Sequence, residues 1–211
     1  MKKILLIAGG AIVVIIIAVV VFFYFAMQGP DITQYEYLKQ PQISAKPDQN
    51  MLVVKAQGDP NVVGSSAFGL LFEVYYKTAG VEKSFTMPAP CARWPVDFET
   101  PKDQWVGLYG LPVPEKVTQL PEYEHKNGLS VSLETWKYGT VAEILHIGPY
   151  DHEKPTVDKL KDFITQQGYA INGIHEEEYL KGPGMFGKGN PEEYATIIRY
   201  PVVKAAAKDS L

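Results

Sequence analysis

The stretch VAEILHIGPYDHEKPTVDKLKDFITQQG, residues 141–168, decides the fold. It opens with an apolar extended run, Val141–Ile147, which ends at Gly148, where a turn is expected. From Pro155 the pattern changes. Val157, Leu160, Phe163 and Ile164 recur at helical spacing with polar and charged residues between them. Proline in the first turn and Gly168 just past the last one punctuate a helix. Proline there loses no hydrogen bond, and glycine accepts the left-handed conformation that ends helices.

Working outward, the same order of signals occurs about 89 residues earlier. Strand Leu52–Ala56 ends at Gly58, and a helix around Ser65 to Thr78 turns Phe68, Leu71 (with Leu70), Val74 and Tyr75 inward before Gly80. Two extended segments follow each helix. The last of them, WVGLYGLPVP (105–114) and ATIIRYPVV (195–203), place Pro112 and Pro201 at matching offsets. Hairpin-like pairs precede both helices: Gln42–Ala45 with Met51–Ala56, and Leu129–Trp136 with Thr140–Ile147 around Lys137-Tyr138-Gly139. The expected fold class is α+β. Two pseudo-symmetric βαββ units, each with an extra leading strand, form an antiparallel sheet with helices on one face and a central cleft.

One transmembrane helix is expected before this domain. Residues 4–27, ILLIAGGAIVVIIIAVVVFFYFAM, carry no charge and are long enough as a helix to cross the ~30 Å hydrocarbon core of a bilayer. Valine and isoleucine are indifferent helix formers in water, but in lipid the backbone must satisfy its own polar groups, which selects the helix. A cleaved signal peptide is the competing reading. Its apolar core is shorter and ends at a small-x-small site, whereas this run finishes in Phe22-Phe23-Tyr24-Phe25, rings suited to the interface. Lys2 and Lys3 precede the run and no lysine follows before Lys39, so the short N-terminus is expected in the cytoplasm and the domain outside it. The expected plan is a cytoplasmic 1–3, a single-pass span 4–27 and a tether 28–40. A domain at 41–204 (halves 41–118 and 129–204) and a tail 205–211 complete it.

Composition excludes several functions. The net charge of −4 and the lack of long Lys/Arg runs give no basic surface for nucleic acid. His125, His146, His152 and His175 lack metal-ligand spacing, and Cys91 has no second cysteine. The glycine-rich segment 182–189 has no following helix with Lys-Ser/Thr to cradle phosphate, and no Gly-x-Ser-x-Gly elbow occurs. No metal or cofactor is expected.

HIGPYD (146–151), the helix ending QQG (166–168), HEEEYLKGPG (175–184) and EYATIIRYPV (193–202) together resemble the gyrase-inhibitor-like (GyrI-like) family. This is the effector-binding domain also found behind DNA-binding regions of AraC- and MerR-type regulators. The resemblance covers roughly residues 40–204 and is strongest from 129 onward; CARWPVDFETPKDQW matches only in outline. It implies a ligand cleft between two βαββ units, taking hydrophobic and often cationic small molecules. Some members resemble hydrolases of strained electrophilic compounds. No helix-turn-helix precedes the domain here, which argues against a transcription factor, and a membrane anchor argues against inhibition of a cytoplasmic gyrase.

The resemblance puts the family's Glu-x-Tyr pair on Glu177 and Tyr179, which share one face of an extended segment with His175. A carboxylate walled by aromatic rings would attract a lipophilic cation by charge and by cation–π contact. From the residues alone, Glu176-Glu177-Glu178 fits a solvated strand better; the resemblance tips the reading toward a ligand-facing Glu177. With Val106 and Leu108 under the helices, Trp105, Gly107 and Tyr109 are expected to face the cleft; taken singly, each large aromatic fits a core position as well. Tyr150 closes its edge or staples the helix start, and Met185 and Phe186 sit on a loop that would serve as a lid or, equally, be disordered. The ligand-binding set is thus Glu177, Tyr179, Trp105, Tyr109, Tyr150 and Phe186. Three functions fit: a membrane-tethered binding domain for a small lipophilic ligand, which is favoured; a hydrolase with Glu177 as general base and Tyr179 or Tyr109 assisting; or a platform for another bacterial envelope protein.

Overall fold

The computed structural model describes residues 31–83, 87–96, 99–183 and 189–206. The expected span at 4–27 and the expected lid residue Phe186 lie outside them. Among the described residues no helix is long and apolar enough to cross a membrane.

The two repeats form a single sheet. Its strands are β1 (Gln42–Lys46), β2 (Gln49–Gln57), β3 (Cys91–Trp94), β4 (Val106–Pro112), β5 (Val131–Trp136), β6 (Gly139–Ile147), β7 (Tyr169–Ile171), β8 (His175–Lys181) and β9 (Ala195–Lys204). They run in the order β1-β6-β9-β8-β3-β4-β2-β5, all neighbours antiparallel, with β7 on the far end of β9. Helices α1 (Pro60–Lys77) and α2 (Lys154–Gln166) pack on one face. Asp59 caps α1 by accepting from the Asn61 N–H at 2.9 Å, and Pro60 occupies the first turn. The helix therefore begins five residues before the expected Ser65.

The two expected hairpins do not form. β1 pairs with β6 and β2 with β5, so each half lends its leading strand to the other. Alternating apolar runs flanking a short turn satisfy either pairing, because the sequence signal fixes which face is apolar and not which strand lies alongside. The exchange ties the halves together. Their equivalence persists at the level of single bonds: the Gly58 N–H donates to the Trp105 carbonyl at 2.9 Å, and the Gly148 N–H to the Tyr194 carbonyl at 3.0 Å. Both glycines have φ near 130° (130° and 135°), a conformation closed to residues with a Cβ.

Glycine also marks where the halves differ. Gly110 and Arg199 occupy equivalent positions on β4 and β9, shown by Gly110 opposing Cys91 as Arg199 opposes Glu176. A Cβ on Gly110 would lie 2.7 Å from the Trp136 ring, which fills that space. On the second half Arg199 fills it instead.

That face, away from α1 and α2, carries a buried ion network. Arg199, 1% exposed, donates Nε to Glu143 at 2.6 Å, Nη2 to Glu178 at 2.8 Å, and Nη1 to Glu176. Arg93 donates Nε to Glu176 at 2.7 Å and stacks over Trp136, while the Tyr138 hydroxyl donates to Glu176 at 3.0 Å. The 3₁₀ segment Thr33–Lys39 covers the neighbouring patch, burying Leu38 against Leu145, Leu180, Ala195 and Ile197. A groove of about 540 Å³ opens beside the network between the Lys137–Thr140 and Asn172–Ile174 turns.

Candidate functional site

The site is built on β8, against Phe68 of α1 and the turn before α2. Strand alternation sends His175, Glu177 and Tyr179 to the helix face and Glu176 and Glu178 to the ion network. The solvated-strand reading is thereby excluded, because Glu176 is 1% and Glu177 6% exposed. Three consecutive glutamates serve two buried environments.

Glu177 pairs directly with Ala92 on β3. Ala92 opposes Tyr109 as Glu177 opposes Ile198, so the two are equivalent positions facing each other across the pseudo-twofold. One half supplies a methyl group and the other a carboxylate. Glu177 Oε2 accepts from the Tyr179 hydroxyl at 2.6 Å, and Oε1 lies 2.9 Å from His175 Nε2. An ionised carboxylate only accepts, so Nε2 carries the hydrogen. Burial pushes the Glu177 carboxyl up, but His175, the Tyr179 hydroxyl and the nearby Trp94 indole N–H outweigh it and hold Glu177 below its ordinary value. The Trp94 N–H contributes without reaching full hydrogen-bond geometry.

Aromatic rings surround this carboxylate. Phe68 of α1 stands edge-on to Tyr109 and Tyr179, with centroids 5.1 and 5.9 Å away. Trp94 packs edge-on against Tyr109 at 5.6 Å, and Tyr150 edge-on against Tyr179 at 5.5 Å and tilted against Tyr194 at 5.1 Å. Burial, and next the Glu177 charge, push the Tyr109 phenol up to about 12, and its buried hydroxyl has no hydrogen-bond partner among the described residues.

Four of the expected residues thus come together: Glu177, Tyr179, Tyr109 and Tyr150. Trp105 sits one ring further out, tilted against Trp94 at 5.3 Å with its indole N–H donated to the Thr100 carbonyl at 2.7 Å. The expected facing was reversed in one respect. Trp105 and Tyr109 lie on the helix face in the α1 core, and Leu108 lies on the opposite face with Met51, Val53 and Trp136. Aromatic residues win the helix side because α1 brings Phe68 and small residues there. A Cβ on Gly64 would sit 3.6 Å from the Tyr109 ring.

Three participants had no distinct signal in the sequence. Trp94 and Phe68 read as ordinary core positions. Glu153 lies in the turn before α2, among charged residues that suit a solvated helix start, yet it is 3% exposed. Burial, then the charge of Glu177 and a hydrogen bond with it, push Glu153 up to about 10, so it holds its proton at neutral pH. His146 fixes the turn below: Nε2 donates to the Pro149 carbonyl at 3.2 Å and Nδ1 accepts from the Thr156 hydroxyl at 2.9 Å. Burial lowers its pKa, consistent with that neutral tautomer. Among the described residues no cluster of His, Cys, Asp or Glu is arranged to hold a metal.

Comparison with known proteins places this architecture. An uncharacterized conserved protein from Listeria innocua superposes with a TM-score of 0.66 and 23% identity, over 82% of this chain and 100% of that one. A hydrolase from Listeria innocua gives 0.63 and 21%, over 82% and 100%. The EcmrR C-terminal domain gives 0.56 and 19%, over 79% and 98%. EcmrR is also known in a complex with DNA, where the match spans 61% of its chain. No curated protein matches. The model of the GyrI-like small molecule binding domain matches residues 39–203, and the chain belongs to that family.

Proposed function

We propose that this chain is a membrane-tethered binding domain for a lipophilic, cationic small molecule, with Glu177 as its counter-charge. The observation that carries this is an ionised carboxylate, buried and ringed by Tyr109, Tyr150, Tyr179, Phe68 and Trp94. No lysine or arginine among the described residues pairs with it. A cation delivered by a ligand gains the Coulomb attraction of a water-poor site, and the ring faces add cation–π contact worth about 0.5–2 kcal/mol. The test is calorimetric titration of the full chain in detergent with tetraphenylphosphonium. Glu177→Gln keeps the shape and removes the charge, and a loss of about tenfold or more in affinity is expected. Equal affinity rejects the electrostatic reading.

Tethering rests on the uncharged run at 4–27 and the lysines before it, with the domain on the outer side of the membrane. Carbonate extraction of membranes tests the anchor, and release into the soluble fraction rejects it. Sidedness is read by protease added to intact spheroplasts.

A hydrolytic reading draws on the Listeria hydrolase of similar fold and on two carboxyls in different protonation states, a pairing suited to acid–base chemistry. Against it, both Glu177 oxygens are already engaged by His175 and Tyr179, which stabilises the ion and blunts it as a base. Turnover of an electrophilic compound that is lost in Glu177→Gln with binding retained would favour hydrolysis.

A further inference from the structure

Glu153 stands out as a buried acid with nothing to neutralise it. Its residue is 3% exposed, no lysine or arginine among the described residues lies within ion-pair distance, and its Oε1 reaches no full hydrogen-bond geometry with any described residue. The buried Thr196 hydroxyl lies beside it and is the neighbouring group that favours its ionised form, though Thr196 Oγ1 reaches no full hydrogen-bond geometry among the described residues. Buried polar atoms are normally satisfied, and a buried acid set against a second carboxyl with one oxygen left incompletely satisfied marks a place prepared for something else. Glu177 and Tyr179 of β8, Thr196 of β9 and Tyr150 of the preceding turn face Glu153; Tyr109 of β4, His146 of β6 and His175 are further titratable groups coupled to Glu177.

We propose that Glu153 is a second carboxyl of the binding site and that it releases one proton to solvent as a lipophilic cation binds beside Glu177. The domain would then exchange a proton for its ligand. This deepens the binding reading and rests on it.

The balance is simple. Before binding, the pair holds one proton and one negative charge; afterwards it holds two negative charges and the ligand's positive one. The O–H bond of Glu153 breaks, its electron pair stays on the carboxylate, and the net charge of the site is unchanged. Unaided, two adjacent buried carboxylates cannot both ionise, which keeps Glu153 protonated at rest. A cation about 4 Å from Glu153 at an effective dielectric of about 20 shifts its ionisation by roughly a thousandfold. That carries a group resting at about 10 into the neutral range.

The full chain in detergent is titrated with tetraphenylphosphonium at about pH 8 in phosphate and in Tris, whose ionisation enthalpies differ. The buffer dependence of the heat counts protons. Expected are close to one proton released per cation in the wild type and none in Glu153→Gln, with cation still bound. Affinity should rise by up to about tenfold per pH unit in the wild type and stay flat in the variant. Binding without proton release, or release that persists in Glu153→Gln, overturns the exchange and leaves the charge-based reading intact. No binding by the wild type overturns both. Should Glu153→Gln fail to fold, the infrared difference spectrum of the wild type decides. Loss of a protonated-carboxyl C=O band on adding the cation supports the exchange, and an unchanged band overturns it.

Discussion

Ala92 and Glu177 face each other across the two central strands, at equivalent positions of the two halves. A symmetric arrangement would bury two carboxylates or none. The observed one buries a single carboxylate at the junction, with Ala92 packed in the core beside Trp94 and Tyr109 on the other side. The charge that defines the site thus comes from the second half and much of the aromatic wall from the first.

Tyr179→Phe should make Glu177 less acidic. The lost bond is a short, charge-assisted one, and such bonds contribute about 1.5–3 kcal/mol, equivalent to roughly one to two pH units. Carbon NMR of labelled glutamate side chains reads the titration directly. An unshifted Glu177 would show that His175 alone holds the ion.

Glu153→Gln should change how stability depends on pH. The folded Glu153 keeps its proton up to about 10, whereas the unfolded one releases it near 4.5. Between those values folding takes up a proton, so stability is greatest below the window and falls as pH rises through it, by up to about 1.4 kcal/mol per unit. Denaturant unfolding at about pH 5.5 and about pH 8.5 should show this slope in the wild type and a flatter one in the variant. Parallel slopes would contradict a protonated Glu153.

Arg199→Met should destabilise the domain by about 3–5 kcal/mol, because Glu143, Glu176 and Glu178 lose their shared partner inside the fold. Arg199→Lys should recover little, since one ammonium cannot reach three carboxylates in the directions that the guanidinium serves. Denaturant midpoints measure both. Near-wild-type stability of the lysine variant would show that charge alone suffices.

Gly110→Ala should cost about 1–3 kcal/mol, since the new methyl meets the rigid Trp136 ring at 2.7 Å and the Met51 methyl at 2.8 Å. Thermal unfolding reads the loss. Pairing the change with Trp136→Leu should restore part of it, and no rescue would place the strain elsewhere.

Much of this architecture was legible in the residues, and the failures have physical causes. Helical spacing of Val157, Leu160 and Ile164 and the Pro155 and Gly168 punctuation located α2 closely. The repeat revealed two equivalent halves. Strand partners were not legible, because β1 and β5 carry signals that any neighbour with the same apolar face satisfies. The Glu177–Tyr179 pair followed from the Glu-x-Tyr resemblance, and alternation predicted correctly which side chains share its face. Glu153 was hidden by its context: between His152 and Lys154 it reads as solvated, and only the close approach of β8 and β9 buries it.

The account stands on charge selecting the ligand, and two ions of nearly the same size and shape isolate charge from hydrophobicity. Full-chain protein in detergent is titrated with tetraphenylphosphonium and with tetraphenylborate, alongside Glu177→Gln to subtract partition into the micelle. The account predicts saturable binding of the cation that depends on Glu177, and no saturable binding of the anion. Equal binding of both ions, or cation binding indifferent to Glu177→Gln, would contradict it.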